Sequence, residues 1–536
     1  MIVSNLKKQL NGKNIINDIS FSLSDGNKVG LVGLNGSGKT TLLRILSADL
    51  KVDSGTINYD SESVGYLKQE IPLVYNDLSI IDYIKKETGI DKLEKKLHEL
   101  ENNLDENNMD MYGDILNQYL AIDGYMFDDN LKNILGGLHF QKDLNCKIKL
   151  LSGGEKIKIL LSTLLLENKD ILLLDEPTNN LDIEAIEWLE NYLKSINKKI
   201  IIVSHDEEFL NNIVNRIFEL KDGKLNEYNL SYNEYLIRKK QEYEKQKEEY
   251  LKAQDQKIKL KKQVQKAKEW ASKGNSKKNC SDNDKIANNY AVEKTNMKNI
   301  SKLTKSLQNL EIPDFEEQKP IKVFFEFDNS KGNKDIILEN LVCGYDNFKT
   351  PQIDLIIPFG TRIMISGGNG TGKTTLIKTI LKQISPLIGS VKIGNDARIG
   401  YISQNTLEEK NDLNIYEYIT NGELTIEKSQ IFVLLNKFNI DYNDRNKLYS
   451  SLSPGERTRI NLVKLALNKI NVLILDEVTN HLDKEALDLI YELVEDYGGT
   501  IISISHNRKY NEYLNASIDL NIENGEIKQN VLHKFR

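Results

Sequence analysis

Two stretches of this 536-residue chain set glycines, one lysine and hydroxyls in an order that suits phosphate: Gly33-Leu-Asn35-Gly36-Ser-Gly38-Lys39-Thr40-Thr41 and Gly367-Gly-Asn369-Gly370-Thr-Gly372-Lys373-Thr374-Thr375. Glycines let the backbone curl until its N–H groups, with a helix N-terminus behind them, face phosphate oxygens. Lys39 and Lys373 are placed to neutralise the terminal phosphates of a nucleotide, and Thr40 and Thr374 to hold Mg²⁺. One such loop by itself leaves every nucleotide-binding class open. Further along, Asp175-Glu176 and Asp476-Glu477 each follow an apolar run. The aspartate is expected beside Mg²⁺, and the glutamate beside the attacking water. His205 and His506 end two more apolar runs, and of six histidines only these two repeat in position. A neutral imidazole there would reach both the γ-phosphate and the glutamate.

Such chemistry needs strands that end at one common edge. Val29 to Val32 and Arg362 to Ile365 precede the glycine loops, Ile171 to Leu174 and Val472 to Leu475 precede the carboxylates, and Ile200 to Val203 and Ile501 to Ile504 precede the histidines. Runs this apolar predict parallel strands buried on both faces, hence an α/β fold present twice. The loops recur at an offset of 334 residues, and Gln69 and Gln404, in Tyr-Leu-Lys-Gln and Tyr-Ile-Ser-Gln, at 335. Leu151-Ser152-Gly153-Gly154-Glu155 and Leu452-Ser453-Pro454-Gly455-Glu456 are 301 apart, as are the carboxylates and histidines. The first copy therefore carries an insertion of about 33 residues between Gln69 and Ser152. Within it Leu93, Leu97, Leu100 and Leu104 step at helical spacing, asparagines interrupt, and Tyr112, Ile115, Leu116 and Tyr119 return. A short helical arm at about 85–125 is expected.

Domains are accordingly expected at 1–230 and 321–536, with a helical linker over 231–320. Leu236, Tyr243 and Tyr250 recur every seven residues, and Ile300, Leu303, Leu307 and Leu310 at three and four, which predicts a long antiparallel hairpin. Gly274-Asn-Ser and Ser281-Asp-Asn-Asp signal its turn. The whole chain is mildly acidic, 72 Lys plus Arg against 79 Asp plus Glu, so any basic partner surface is local. One such patch exists: from Lys257 to Lys278 there are nine lysines, Lys266, Lys268, Lys273, Lys277 and Lys278 among them, with Trp270 and a single acid, Glu269. Lysines for phosphate and an aromatic for stacking are what an RNA-probing tip would use. Cys146, Cys280 and Cys343 lack any metal or redox spacing, no charged leader opens the chain, and no apolar run spans a membrane. A cytoplasmic protein is expected.

The Leu-Ser-Gly-Gly-Glu stretch, in register with the loops and carboxylates, resembles the signature of ATP-binding-cassette proteins. That resemblance implies ATP and Mg²⁺ as cofactors and an ATPase built as an intramolecular head-to-tail sandwich in a monomer. Site one would join Lys39, Gln69, Asp175, Glu176 and His205 to Ser453, Gly455 and Glu456. Site two would join Lys373, Gln404, Asp476, Glu477 and His506 to Ser152, Gly153, Gly154 and Glu155. Gln69 and Gln404 would act at the metal and the attacking water, and Asp182 and Asp483 match the loop that crosses the interface. The aromatic that stacks on adenine falls on Tyr345 in the second half but on Leu10 in the first, and Pro454 removes a backbone donor from the signature at site one.

Tandem cassettes, an arm in the first and a helical hairpin between them resemble, over essentially the full chain, the ABC-F family of translation factors. The resemblance implies a ribosome partner and no membrane, with the linker entering from the E-site side to meet large-subunit rRNA and peptidyl-site tRNA near the peptidyl-transferase centre. The small arm, extended tip and Ser-Pro-Gly-Glu signature favour the subgroup that protects ribosomes from antibiotics. A housekeeping translation factor is the alternative, and so is a fused ATPase subunit of a transporter, which would leave the charged linker unexplained.

Overall fold

The computed structural model describes residues 1–10, 12–34, 36–68, 70–103, 105, 108–275, 301–302, 304–307, 309, 332–345, 348–368, 370–403, 412–420, 428–438, 440, 442–479, 482, 484–523 and 526–531. They fall into two compact units, Met1–Tyr232 with Ile321–Arg536, and Asn233–Pro320.

The first unit contains the same α/β arrangement twice. In the first cassette six strands lie in the order Val64–Tyr66, Ile171–Asp175, Lys199–Val203, Lys28–Val32, Arg216–Lys221 and Lys224–Tyr228, of which all but the last pair in parallel. In the second the order is Ile399–Ser403, Val472–Asp476, Thr500–Ile504, Arg362–Ser366, Ile518–Glu523 and Glu526–Val531. Every residue of Ile171–Asp175 and of Val472–Asp476 is buried, which is why these strands read as unbroken apolar runs and not as alternation. Parallel pairing brings the ends of three strands together, so that Val32, Asp175 and Val203 open on one edge, as do Ser366, Asp476 and Ile504.

A three-stranded antiparallel sheet backs each phosphate-loop helix. In the first cassette Leu6, Ile16, Ile19 and Phe21 of that sheet share one core with Leu42, Leu43 and Phe218. Ile336, Leu338 and Ile353 do the same with Leu376, Ile377 and Ile474 in the second. A separate core under the signature helix of the second cassette is built on Tyr449, Ile460, Leu475, Leu489 and Tyr510.

The helical arm is present. Ile90–Asn102 and Met109–Ala121 pack on each other, burying Leu97, Ile115 and Tyr119, and the Tyr112 hydroxyl donates to Glu101 across the pair at 3.3 Å. Leu104 lies outside the described residues.

In the second unit one helix runs from Tyr232 to Asn275, 44 residues and about 66 Å at 1.5 Å per residue. Gly274 and Asn275, which open the expected turn, are still helical, and Ser276, the next residue of that signal, lies outside the described residues. One glycine costs a helix only about 1 kcal/mol, and a long run of Lys, Glu, Gln and Ala before it outweighs that. Residues 301–302 and 304–307 are helical. Ser281 to Asp284, Ile300, Leu303 and Leu310 lie outside the described residues, as do Lys277 and Lys278. Among the described residues no helix is long and apolar enough to cross a membrane.

Candidate functional site

Each phosphate loop turns into its helix through a glycine that no other residue could replace cheaply. Gly38 and Gly372 cap helices Lys39–Leu46 and Lys373–Ile380 with φ of 102° and 96°. A Cβ on Gly38 would also stand 2.5 Å from Ile15. Behind that turn the lysines lie over the loop. Lys39 Nζ donates to the Gly33 carbonyl at 2.8 Å and the Leu34 carbonyl at 3.1 Å, and Lys373 Nζ to those of Gly367 and Gly368 at 2.6 and 2.9 Å. Burial lowers the Lys373 pKa, against the opposing pull of Glu477, Asp182 and Asp476.

The carboxylates stand at the sheet edge beside them. Glu176 and Glu477 both have left-handed backbones, with φ of 52° in each. Their N–H groups donate to the ends of the next strands, Val203 at 2.8 Å and Ile504 at 2.9 Å, which holds a conformation that L-residues avoid. The same unfavourable geometry in both copies marks these as positions kept for more than packing. Burial, reinforced by the Asp175 charge, pushes the Glu176 carboxyl up to about 8, and burial also raises Glu477. Asp476 accepts from Thr374 Oγ1 at 3.4 Å and from the Tyr401 hydroxyl at 3.3 Å, an arrangement able to present two carboxylate oxygens to one cation.

The histidines differ. His205 Nε2 lies 3.4 Å from Glu176 Oε1, and the His205 N–H donates to Glu176 Oε2 at 3.3 Å. Burial, helped by the Lys373 charge, holds the His506 imidazole down to about 4, so it is neutral at physiological pH. His506 Nε2 makes no hydrogen bond among the described residues.

Both signature stretches form complete capping boxes. Ser152 accepts from the Glu155 N–H while the Glu155 carboxylate accepts from the Ser152 N–H and hydroxyl at 2.7 and 2.8 Å. Ser453 and Glu456 repeat it at 2.8 Å for both bonds. Lys142 also holds Glu155, at 2.8 Å. Pro454 sits at the start of its helix, where a missing N–H leaves the helix itself intact. Deeper in the first signature helix, buried Lys158 meets Asp182 at 3.0 Å, and Asp182 caps the next helix by accepting from Ala185 N–H. The charges of Asp182 and Lys158 reach Lys373 and His506 of the other cassette. One cavity is walled by Glu176, His205 and Asn180 from the first cassette and by Thr479, His506 and Asn507 from the second.

Lys39, Asp175, Glu176 and His205 are thus gathered at one edge, and Lys373, Thr374, Asp476, Glu477 and His506 at the other. Leu10 and Tyr345 are both exposed, and Tyr345 lies in a two-stranded ribbon with Phe348–Lys349. Lys266 and Lys268 are exposed along the long helix, whose backbone includes Trp270 and Lys273. Asn35, Gln69, Asn369, Gln404 and Asp483 lie outside the described residues. Sequence reasoning missed Tyr401 and its counterpart Tyr66, each pushed up to about 12 by burial and the neighbouring aspartate. The signal existed: a tyrosine three places before glutamine in both copies. It also missed Lys158, which had no distinguishing pattern.

Comparison with known proteins is consistent across sequence and fold. A family model described as ABC transporter matches residues 16–179 and 351–480, and another so described matches 218–310. The chain is 33% identical over 516 residues to an uncharacterized ABC transporter ATP-binding protein, YfmM, of Bacillus subtilis, covering 94% of this chain and 95% of that one. It is 31% identical to the ATP-binding protein Uup of Haemophilus influenzae, with coverage of 90% and 72%. To ABC transporter F family member 5 of Arabidopsis thaliana it is 28% identical, with coverage of 95% and 73%. In fold it is similar to an archaeal ribosome recycling factor, aABCE1, solved with a ribosomal stalk protein, at a TM-score of 0.58 and 17% identity over 96% of this chain and 87% of that one.

Proposed function

The chain belongs to the ABC transporter family of ATP-binding proteins, with F-branch members among its relatives, and on that premise we propose that this ATPase acts on the ribosome. The observation that carries the reading is the 44-residue helix that follows the first cassette and ends in a lysine-rich stretch, in a chain whose described helices include none able to cross a membrane. A transporter subunit would leave such a charged helix unexplained. A probe of ribosomal RNA would use it. A fold neighbour from a model of ribosome-bound archaeal Pelota and ABCE1, with a TM-score of 0.57 and 18% identity, suits the same reading.

In this proposal cassettes 1–230 and 321–536 close as a head-to-tail sandwich within one cytoplasmic monomer and bind two ATP with Mg²⁺. Thr40, Gln69 and Asp175 hold the metal at site one, and Thr374, Gln404 and Asp476 at site two. Glu176 and Glu477 orient and deprotonate the attacking water, with His205 and His506 bridging to the γ-phosphate. Ser453 and Gly455 cap the nucleotide of site one, and Ser152 and Gly153 that of site two. Closure sets the linker, residues 231–320, against large-subunit rRNA and peptidyl-site tRNA near the peptidyl-transferase centre, where it protects the ribosome from antibiotics.

The test is Glu176→Gln with Glu477→Gln. The doubly substituted protein should stay closed on ATP, co-sediment with ribosomes and inhibit translation in a cell-free system. Its remaining at the top of the gradient with ATP would reject the ribosomal reading. Removing residues 270–284 should spare ATPase activity and abolish drug tolerance in an expressing strain, whereas tolerance that survives the deletion would reject the protective role of the tip.

A further inference from the structure

The two cassettes meet along a seam whose charges are opposite although its sequences are repeats. The offset of 301 residues that relates the histidines also places Glu207 and Glu208 opposite Arg508 and Lys509, directly after His205-Asp206 and His506-Asn507. Asp206 and Asn507 cap the helices Glu207–Ile213 and Arg508–Leu514 that carry these charges. Arg508 Nη1 lies 3.0 Å from Glu190 and 3.2 Å from Glu208 of the first cassette, and Arg508 Nη2 lies 3.8 Å from Glu187. Lys509 and Lys484 hold Glu207 from two sides at 2.7 and 3.1 Å. Glu190 is almost wholly buried and also accepts from Asn212 at 3.0 Å, and only 16% of the Arg508 side chain is exposed.

We propose that this acid-to-base seam selects the pairing of first cassette with second, and holds the two histidine-bearing turns in register across the interface. If two first cassettes met by the same geometry, Glu207 and Glu208 would face Glu190 of a like surface. If two second cassettes met, Arg508 and Lys509 would face each other. Both pairings leave buried charge uncompensated, which costs far more than a matched pair returns. Only the pairing of a first cassette with a second sets these acids against these bases. The inference rests on the intramolecular sandwich proposed above and is independent of the ribosome.

Arg508→Glu puts like charges across the seam while leaving an acid at a helix N-terminus, where the helix tolerates it well. Steady-state ATPase activity should fall by at least about tenfold, as expected when a buried charge loses its partner. Adding Glu190→Gln and Glu208→Arg to the same chain should restore activity to within about threefold of wild type. The neutral Arg508→Gln should lose only part of the activity. Circular dichroism and thermal melting of each variant report folding. A folded Arg508→Glu protein with wild-type activity would overturn the proposal, and so would a folded compensated chain that stays inactive. Wild-type protein that sediments as a dimer would instead overturn the intramolecular sandwich, whatever the Arg508 variants do.

Discussion

The first cassette sets its strand-end glutamate against its own histidine, Glu176 to His205 at 3.4 Å, whereas the second keeps His506 neutral and buried and ties its aspartate to Tyr401 and Thr374. Backbone geometry is the same in both, down to the left-handed φ of 52° at each glutamate. Repeated motifs therefore fix where the groups stand, while residues around them decide which protons and bonds they carry. Two sites alike in sequence can turn over at different rates.

The largest expected effect removes both glutamates. Glu176→Gln with Glu477→Gln should lower steady-state ATPase activity by about a hundredfold or more while nucleotide binding, read by a fluorescent ATP analogue, persists. The histidines come next. Measured with the other site silenced by its Glu→Gln change, His205→Ala and His506→Ala should each cost about tenfold. Equal pH profiles for the two surviving sites would break the contrast, because Glu176 with its carboxyl near 8 should make site one gain activity through that pH while it loses its proton. The same shift has a stability sign. A carboxyl raised on folding adds no penalty below its unfolded pKa, about 4.3, destabilises increasingly as pH rises, and reaches its full penalty above about 8. Glu176→Gln should accordingly raise the melting temperature more at pH 8.5 than at pH 5, as scanning calorimetry would show. Smaller again, Tyr401→Phe should weaken Mg²⁺-ATP affinity at site two by about threefold, the effect of one hydrogen bond to Asp476. Pro454→Gly returns one backbone donor to site one and should raise its rate about twofold in a Glu477→Gln background.

Much of this was legible in the residues. Strands buried on both faces announce themselves as apolar runs, and glycines at positive φ leave a gapless pattern, so the two α/β halves and the phosphate-binding edges follow from sequence alone. The arm was legible because Leu93, Leu97 and Leu100 keep helical period. Contacts that depend on tertiary approach were not. Tyr401 reaches Asp476 only because strands Ile399–Ser403 and Val472–Asp476 pair in parallel. The Arg508 seam needs two segments more than 300 residues apart to meet. Gly274 stays helical because a single glycine is a strong local signal and a weak energetic one.

The left-handed glutamates have a further consequence. Each non-glycine residue held there costs on the order of 1–2 kcal/mol, a sizeable share of the stability of an ordinary domain. Glycine at 176 or 477 would relax the backbone and delete the acid together. A screen that scored only thermal tolerance would thus drift toward a hardier molecule unable to split ATP, and only a selection that demands turnover would keep the two awkward residues in place.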